Sequence, residues 1–323
     1  MAKSQVLCLG EILWDCLADQ PAMSVDAVQS WTHYPGGAPA NVACALVKLG
    51  TLSSFIGCVG TDAPGQSLVD LLQTIGVEIS GVQRHPAPTR HVEVLRSISG
   101  DRQFAGFGGR STTEFADTHL QAKALPEALF NQAEYLVMGT LALAYPETRR
   151  AMERAIELAN QQYLKIVIDV NWRPMFWPEP DQAKSTILSL IQQADFLKLS
   201  YEEAEWLYGT ADPRAIVQQH GDAEGVLVTN GDQGCAYCLS EQSGQLPAFP
   251  IHPLDTTGAG DSFLAGFIHQ LCKRGIRSLT HPDTAKQIVT YASAVGALTT
   301  LKPGAIAAQP TAIEVEAFLD KES

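Results

Sequence analysis

A chain of 323 residues, 46% of them hydrophobic, is long enough for one large α/β domain or for a core domain with a small appendage. With 22 Lys+Arg against 35 Asp+Glu the formal charge is -13, which excludes a broad basic surface for nucleic acid and means that an anionic substrate needs a local positive site. The 7 cysteines, an odd number scattered along the chain, do not form a disulfide framework and point to the cytoplasm; with no apolar run of membrane-spanning length and no signal-like start, neither secretion nor membrane insertion is expected.

The first apolar run, VLCLG at 6–10, reads as a buried strand. Shorter alternating pieces follow over 11–34, and Gly36-Gly37-Ala38-Pro39-Ala40-Asn41 then leads into a helix, NVACALVKLG. LSSFIG (52–57) is the next strand and GQSLVDLLQTIG the next helix. A second alternating region, 89–107, carries a turn at Ser99-Gly100-Asp101. Beyond it the chain alternates regularly. Strands YLVMG, KIVIDV, FLKLS and GVLVTN are separated by helices at 146–162, 182–193 and 213–220. Buried strands between amphipathic helices give a mostly parallel sheet covered on both faces, and 11–34 and 89–107 form a small sheet projecting from it. No internal repeat or linker divides the chain, so 1–323 reads as a single domain with insertions.

In such a fold, ligands bind beyond the carboxyl ends of the strands, at a break in strand order. Glu11, Asp15, Asp169, Asn171, Lys198, Ser200 and the turn Thr229–Gly234 all follow apolar runs. Asp15 and Asn171 serve equally as turn or capping residues, Arg173 and Glu203 as surface ion pairs, and the tryptophans at 172 and 177 as core. Cys235 and Cys238 form a C-x-x-C, but within a strand that spacing puts the side chains on opposite faces. The histidines show no metal-binding spacing.

The segment DTTGAGDSFLAGF, 255–267, holds the densest chemistry. Gly258, Ala259 and Gly260 bring backbone amides to the start of a helix, a nest suited to a phosphoryl group. Asp261 follows directly, as either a catalytic carboxylate or a helix cap. The same amides are expected to lower its pKa, which still allows it to accept a proton late in a loose phosphoryl transfer. Neither a G-x-x-x-x-G-K-[ST] loop nor a strand-linked G-x-G-x-x-G is present.

Taken together, GGAPANVACALVKLG, the D-x-N-x-R at 169–173 and DTTGAGDSFLAGF resemble the ribokinase-like (PfkB) carbohydrate kinases over essentially the whole chain. The resemblance implies an ATP-dependent sugar kinase with a central sheet and a small β-lid. It assigns Asp261 as catalytic base and Gly258, Ala259 and Gly260 as the anion hole. Asp15, Gly36, Gly37, Asn41 and Arg173 fall to the sugar, and Lys198, Thr229, Gly231, Gly234 and Glu203 to the nucleotide and its Mg2+. Asp255, with carbonyls at Thr257 and Gly304, falls to an activating K+. Ser200 replaces the family's more usual asparagine. The resemblance also allows a homodimer through the lid; no nucleic-acid or membrane partner is expected. GEILWD, DVNWRPMFW and LKLSYEEAEWL are most similar to fructokinases, which phosphorylate fructose at O6. A 2-dehydro-3-deoxygluconate kinase is the alternative, and a non-catalytic sugar- or nucleotide-binding regulator is disfavoured by the intact Gly-Ala-Gly-Asp.

Overall fold

All four residues of β1, Val6–Leu9, are buried, and all eight of β4, Ser53–Gly60, because both strands run through the middle of a sheet covered on each face. The structure, a computed structural model, describes residues 5–96 and 102–322. The turn expected at Ser99-Gly100-Asp101 lies outside the described residues. In chain order the other strands are β2 Leu13–Ala18, β3 Trp31–Gly36, β5 Glu78–His85, β6 His91–Arg96, β7 Arg102–Gly106, β8 Tyr135–Met138 and β9 Lys165–Asp169. They continue with β10 Phe196–Ser200, β11 Gly225–Thr229, β12 Cys235–Leu239 and β13 Gln242–Leu246. The helices are α1 Ala38–Leu49, α2 Ala63–Ile75, α3 Glu127–Phe130, α4 Pro146–Gln161, α5 Ala183–Ile191 and α6 Tyr201–Tyr208. They end with α7 Pro213–His220, α8 Ala259–Arg274, α9 Pro282–Thr299, α10 Ala305–Ala308 and α11 Ala312–Glu322.

The main sheet has the order β13-β12-β11-β10-β9-β8-β1-β4-β5 and is parallel from β5 through β11. At one edge β12 runs antiparallel to β11, and β13 antiparallel to β12. From β1 the chain goes to β4 on one side and later to β8 on the other, so the strand order reverses at β1. The crevice above that reversal is where such sheets hold ligands. One core lies on the α4–α7 face and a second on the face covered by α1, α2, α8 and α9. Trp177 is buried in the first core, and Trp172 stacks on Trp206 with ring centroids 4.0 Å apart. On β12, Cys235 lies 3.5 Å from Ser293 of α9. Cys238, three positions on, points to the other face.

The helix expected from Asn41 begins three residues earlier, at Ala38, because Pro39 suits a first turn whose amide needs no partner. It stops at Gly50, whose left-handed backbone returns its N–H to the Leu46 and Val47 carbonyls. Phe263, Phe267, Ile268 and Leu271 all face a core as their spacing suggests, but α8 is buried almost all round, not amphipathic. It lies between the sheet and α9, where Gly266 leaves room for Ala292 and Val295.

The second sheet, in the order β3-β2-β6-β7, is the projecting lid. Alternation along β2 puts Leu13, Asp15 and Leu17 on one face and Trp14, Cys16 and Ala18 on the other. Asp15 lies opposite Tyr34, and Leu13 opposite Gly36. At the base of β6, Arg90 is wholly buried: its Nε donates to Asp117 Oδ2 at 2.6 Å, and its guanidinium lies 4.6 to 5.4 Å from the ring centroids of Phe107, Phe115, Tyr145 and Phe176. Its neighbour Thr89 is held by Asp62 through both N–H and hydroxyl. The base of the lid is thus clamped at two adjacent residues.

Removing one partner of a buried pair strands the other charge. Asp117→Ala is expected to lower unfolding stability by about 3 to 5 kcal/mol, measured by urea titration. A loss under about 1 kcal/mol, the level of an exposed pair, would contradict the clamp.

Candidate active site

The amino ends of α1 and α8 meet above the β1 reversal, and one hydrogen bond joins them: Asn41 Nδ2 donates to Asp261 Oδ2 at 2.8 Å, with both side chains buried. Two helix starts, 220 residues apart in sequence, thus converge on one carboxylate. Just before Asp261 the chain turns through Gly258, whose φ of +75° and tight approach to Ala305 both demand glycine. At Gly260 the place of a Cβ lies 2.9 Å from Lys198 Nζ, so the ammonium sits directly under the glycine turn. Lys198 is itself paired with both oxygens of Asp169, at 3.1 and 3.0 Å. Burial pulls the Lys198 pKa down, but Asp169, Glu203 and Asp261 together outweigh it and hold the ammonium charged. A buried cation and a row of helix-start amides make a positive floor in an otherwise acidic protein.

The expected lowering of the Asp261 pKa does not hold: it is raised to about 6. Burial is the main cause, and the Asp169 carboxylate adds to it; the Asn41 hydrogen bond, Lys198 and Arg173 offset only part. The helix-start amides do not hold this carboxyl, because Asp261 sits in the first turn of α8 with its side chain directed across to α1. Such a group is a better proton acceptor than the sequence suggests.

On the lid side, the Asp15 carboxylate lies against Gly36, where any side chain would strike its Oδ2. Gly37, at φ +105°, packs on the carbonyl of Glu11, the place of its Cβ being 2.5 Å from that oxygen. Asp15, Gly36, Gly37 and Asn41 therefore form one continuous wall leading to Asp261. Arg173 is exposed, donates Nη1 to the Trp172 carbonyl, and is near enough to Asp261 to favour its charged form.

On the other side, Ser200 begins α6 with a capping box: its hydroxyl accepts from the Glu203 N–H, and Glu203 Oε2 accepts from the Ser200 N–H. Glu203 Oε1 accepts from the Trp172 N–H at 2.7 Å, tying the ends of β9 and β10 together. Thr229 is the register partner of Ser200 on the next strand, so these residues line up at the carboxyl ends. Gly231 opens on solvent. A side chain at Gly234 would instead strike the Leu246 carbonyl, so that glycine serves the hairpin edge. Asp255 closes a separate knot: Oδ1 accepts from the Thr257 N–H and hydroxyl and Oδ2 from the Gly304 N–H, while Gly304 packs on Tyr34 of the lid.

Asp169 belongs to this constellation as the partner of Lys198, which its place after an apolar run hints at without fixing. Gln309, which donates to the Asn41 carbonyl at 2.8 Å, has no sequence signal at all. Among the described residues no three His, Cys, Asp or Glu side chains gather to hold a metal ion, and no helix is long and apolar enough to cross a membrane.

A nine-stranded α/β sheet with a four-stranded lid, and a carboxylate beside an amide-lined turn at the strand-order reversal, define a ribokinase-like kinase fold. The family model described as pfkB family carbohydrate kinase matches residues 3–312, and the chain belongs to that family. It is 34% identical to Fructokinase-1 of Zea mays, over 99% of this chain and 98% of that protein. Its structure is similar to that of a fructokinase from Xylella fastidiosa with bound ATP, with a TM-score of 0.89, 29% identity and 99% of each chain covered. It is also similar to a fructokinase double mutant from Vibrio cholerae O395 in a fructose, ADP and potassium ion bound form, with a TM-score of 0.83, 28% identity, and 99% and 100% of the chains covered.

A carboxyl whose folded pKa is raised binds its proton more tightly in the native state, so native stability falls as pH rises from the unfolded value toward about 6. Asp261→Asn removes that cost. The variant is expected to melt above the wild type at pH 8 and to converge with it near pH 4, by thermal unfolding at both values. A variant less stable than wild type at pH 8 would show that the buried charge is not destabilising.

Proposed function

We propose that this chain transfers the γ-phosphoryl group of ATP to the 6-hydroxyl of D-fructose, giving fructose 6-phosphate and ADP. The observation that carries the reading is the Asp261 carboxylate, raised to about 6, held by Asn41 at the junction of the lid-side wall and the amide turn. Support for fructose comes from the similarity to proteins named fructokinases and from the fructose-bound relative.

In this reading Asp15, Gly36, Gly37 and Asn41 hold the sugar with its O6 hydroxyl toward Asp261. The new O6–P bond forms as the bond between the γ-phosphorus and the β–γ bridging oxygen breaks, the hydroxyl proton passes to Asp261, and ADP leaves with the bridging electrons. Little early activation of the hydroxyl is needed in a loose transition state. The amides at Gly258 and Gly260, with Lys198 beneath, face the charge on the transferred group; the Ala259 N–H donates to the Thr256 carbonyl at 3.2 Å and holds the turn. Thr229, Gly231 and Gly234 lie on the nucleotide side.

Both oxygens of Asp169 are engaged by Lys198 and both of Glu203 by backbone N–H groups. That donor set suits a magnesium ion held mainly by phosphate and water, with Glu203 acting through water, and is unsuited to an all-protein cage. When bound, the ion neutralises phosphate charge. The Asp255 knot likewise suits a monovalent cation: its carboxylate is spent tying the Thr257 and Gly304 loops, leaving backbone carbonyls of Thr257 and Gly304 as ligands.

One observation favours a second reading. Arg173 is an exposed guanidinium beside the sugar wall, able to meet a substrate carboxylate, which 2-dehydro-3-deoxygluconate carries and fructose lacks.

An ADP-release assay across fructose, 2-dehydro-3-deoxygluconate, ribose and adenosine tests the assignment. Fructose is expected to lead in kcat/KM by at least about tenfold, ~1.4 kcal/mol; a lead of that size for the acidic sugar would replace the substrate while leaving the mechanism. Asp261→Asn is expected to lower kcat by at least about a hundredfold, with sugar and ATP binding largely kept. Chelation of divalent ions is expected to abolish turnover. Exchange of potassium for tetramethylammonium is expected to reduce kcat, and unchanged kinetics would remove the cation from the account.

A further inference from the structure

Glu11 follows β1 at the strand-order reversal, only 4% exposed, and takes no part in the chemistry set out above. Its Oε1 accepts from the Ala38 N–H at 2.9 Å, the first amide of α1. Its Oε2 is buried with no protein partner. Its backbone carbonyl supports Gly37, so the residue holds both the glycine step and the helix start that follows. One turn along that helix stands Asn41, the donor to Asp261. Glu11 is thus the anchor of the arm that reaches Asp261.

We propose that Glu11 is a positioning residue for phosphoryl transfer, which fixes the first turn of α1 so that Asn41 meets Asp261. The proposal rests on the kinase reading. Toward Glu11 stand Asp117, on the short turn Ala116–His119 and itself bound to Arg90, and Asp261 of α8. Toward Asp261 stand Asp169, Lys198 and Arg173. Burial raises the Glu11 pKa to about 7, with Asp117 and Asp261 adding to it and the Ala38 and its own backbone N–H groups opposing. In either protonation state Oε1 can accept from the Ala38 N–H.

An isosteric Glu11→Gln keeps an oxygen for the Ala38 N–H but removes the ionisation, whereas Glu11→Ala removes both. Two readouts separate positioning from a merely structural role. Glu11→Gln is expected to keep kcat/KM with fructose, and Glu11→Ala to fall below it by about fivefold, the order of a lost helix cap. In carboxyl 13C NMR titration, which needs no turnover, the Asp261 pKa is expected to be higher in Glu11→Ala than in the equally uncharged Glu11→Gln, because Asn41 no longer favours the charged carboxylate.

Equal kcat/KM for a folded Glu11→Ala and Glu11→Gln, or an Asp261 pKa no higher in Glu11→Ala than in Glu11→Gln, would overturn the positioning role. If Glu11→Ala does not fold, Glu11→Met, which fills the same space without an acceptor oxygen, takes its place in both comparisons. A wild type that turns over no sugar would overturn the kinase reading instead, and the NMR comparison would still decide the positioning.

Discussion

One hydrogen bond, from Asn41 to Asp261, holds the site together. It joins the start of α1, which follows the lid, to the start of α8, which follows the glycine turn, across the point where the main sheet reverses its strand order. A buried hydrogen bond to an ionised carboxylate contributes about 1.5 to 3 kcal/mol, enough to set both the geometry of the two helix starts and the charge of the acid between them. Gly36 and Gly37, beside Asp15, lead to Asp261 by way of α1, and the glycine turn leads to it by way of α8. The Gln309 side chain, coming from the end of α10, braces the same arm at the Asn41 carbonyl.

The second constraint is electrostatic. The chain carries a net charge of -13, yet its proposed phosphoryl donor, ATP, is itself a polyanion. The structure resolves this locally, with Lys198 buried under Gly260 and the first amides of α8 above it. Asp169 holds Lys198 charged against the pull of burial, and the same carboxylate adds to the rise that burial causes in Asp261. In the proposed reaction one ion pair therefore prepares both the floor for phosphate and the acceptor for a proton. Arg90 and Asp117 do separate work at the lid base, where four aromatic rings and an ion pair fix the residue just before β6.

Much of this was legible in the sequence. Each of the six apolar runs, from VLCLG to GVLVTN, becomes a strand of the main sheet, because strands buried on both faces leave continuous apolar stretches. The lid was visible as two alternating regions, although β3 runs on to Gly36, past the expected end at 34. The glycine turn before Asp261 was equally plain. What could not be read were quantities set by pairing at long range. The Asp261 pKa was expected low from its neighbours in sequence and is high because Asp169 and burial act across space. That Gly234 must also clear the Leu246 carbonyl is set by the hairpin and leaves no mark in the turn itself. Ser200, a departure from the more usual asparagine, proves to be the cap of α6. Glu11 appears in the sequence only as a polar residue after a strand, and its burial against the start of α1 is a property of the fold.

The Asn41 bond can be tested where it acts, on the proton affinity of Asp261. Because that bond favours the charged carboxylate, its loss in Asn41→Ala should raise the apparent pKa of Asp261 further above about 6, by about 1 to 2 units for a bond of the strength given above. The measurement is the 13C NMR titration of the Asp261 carboxyl in the two folded proteins. An upward displacement supports the account; an unchanged or lowered pKa in Asn41→Ala would contradict it.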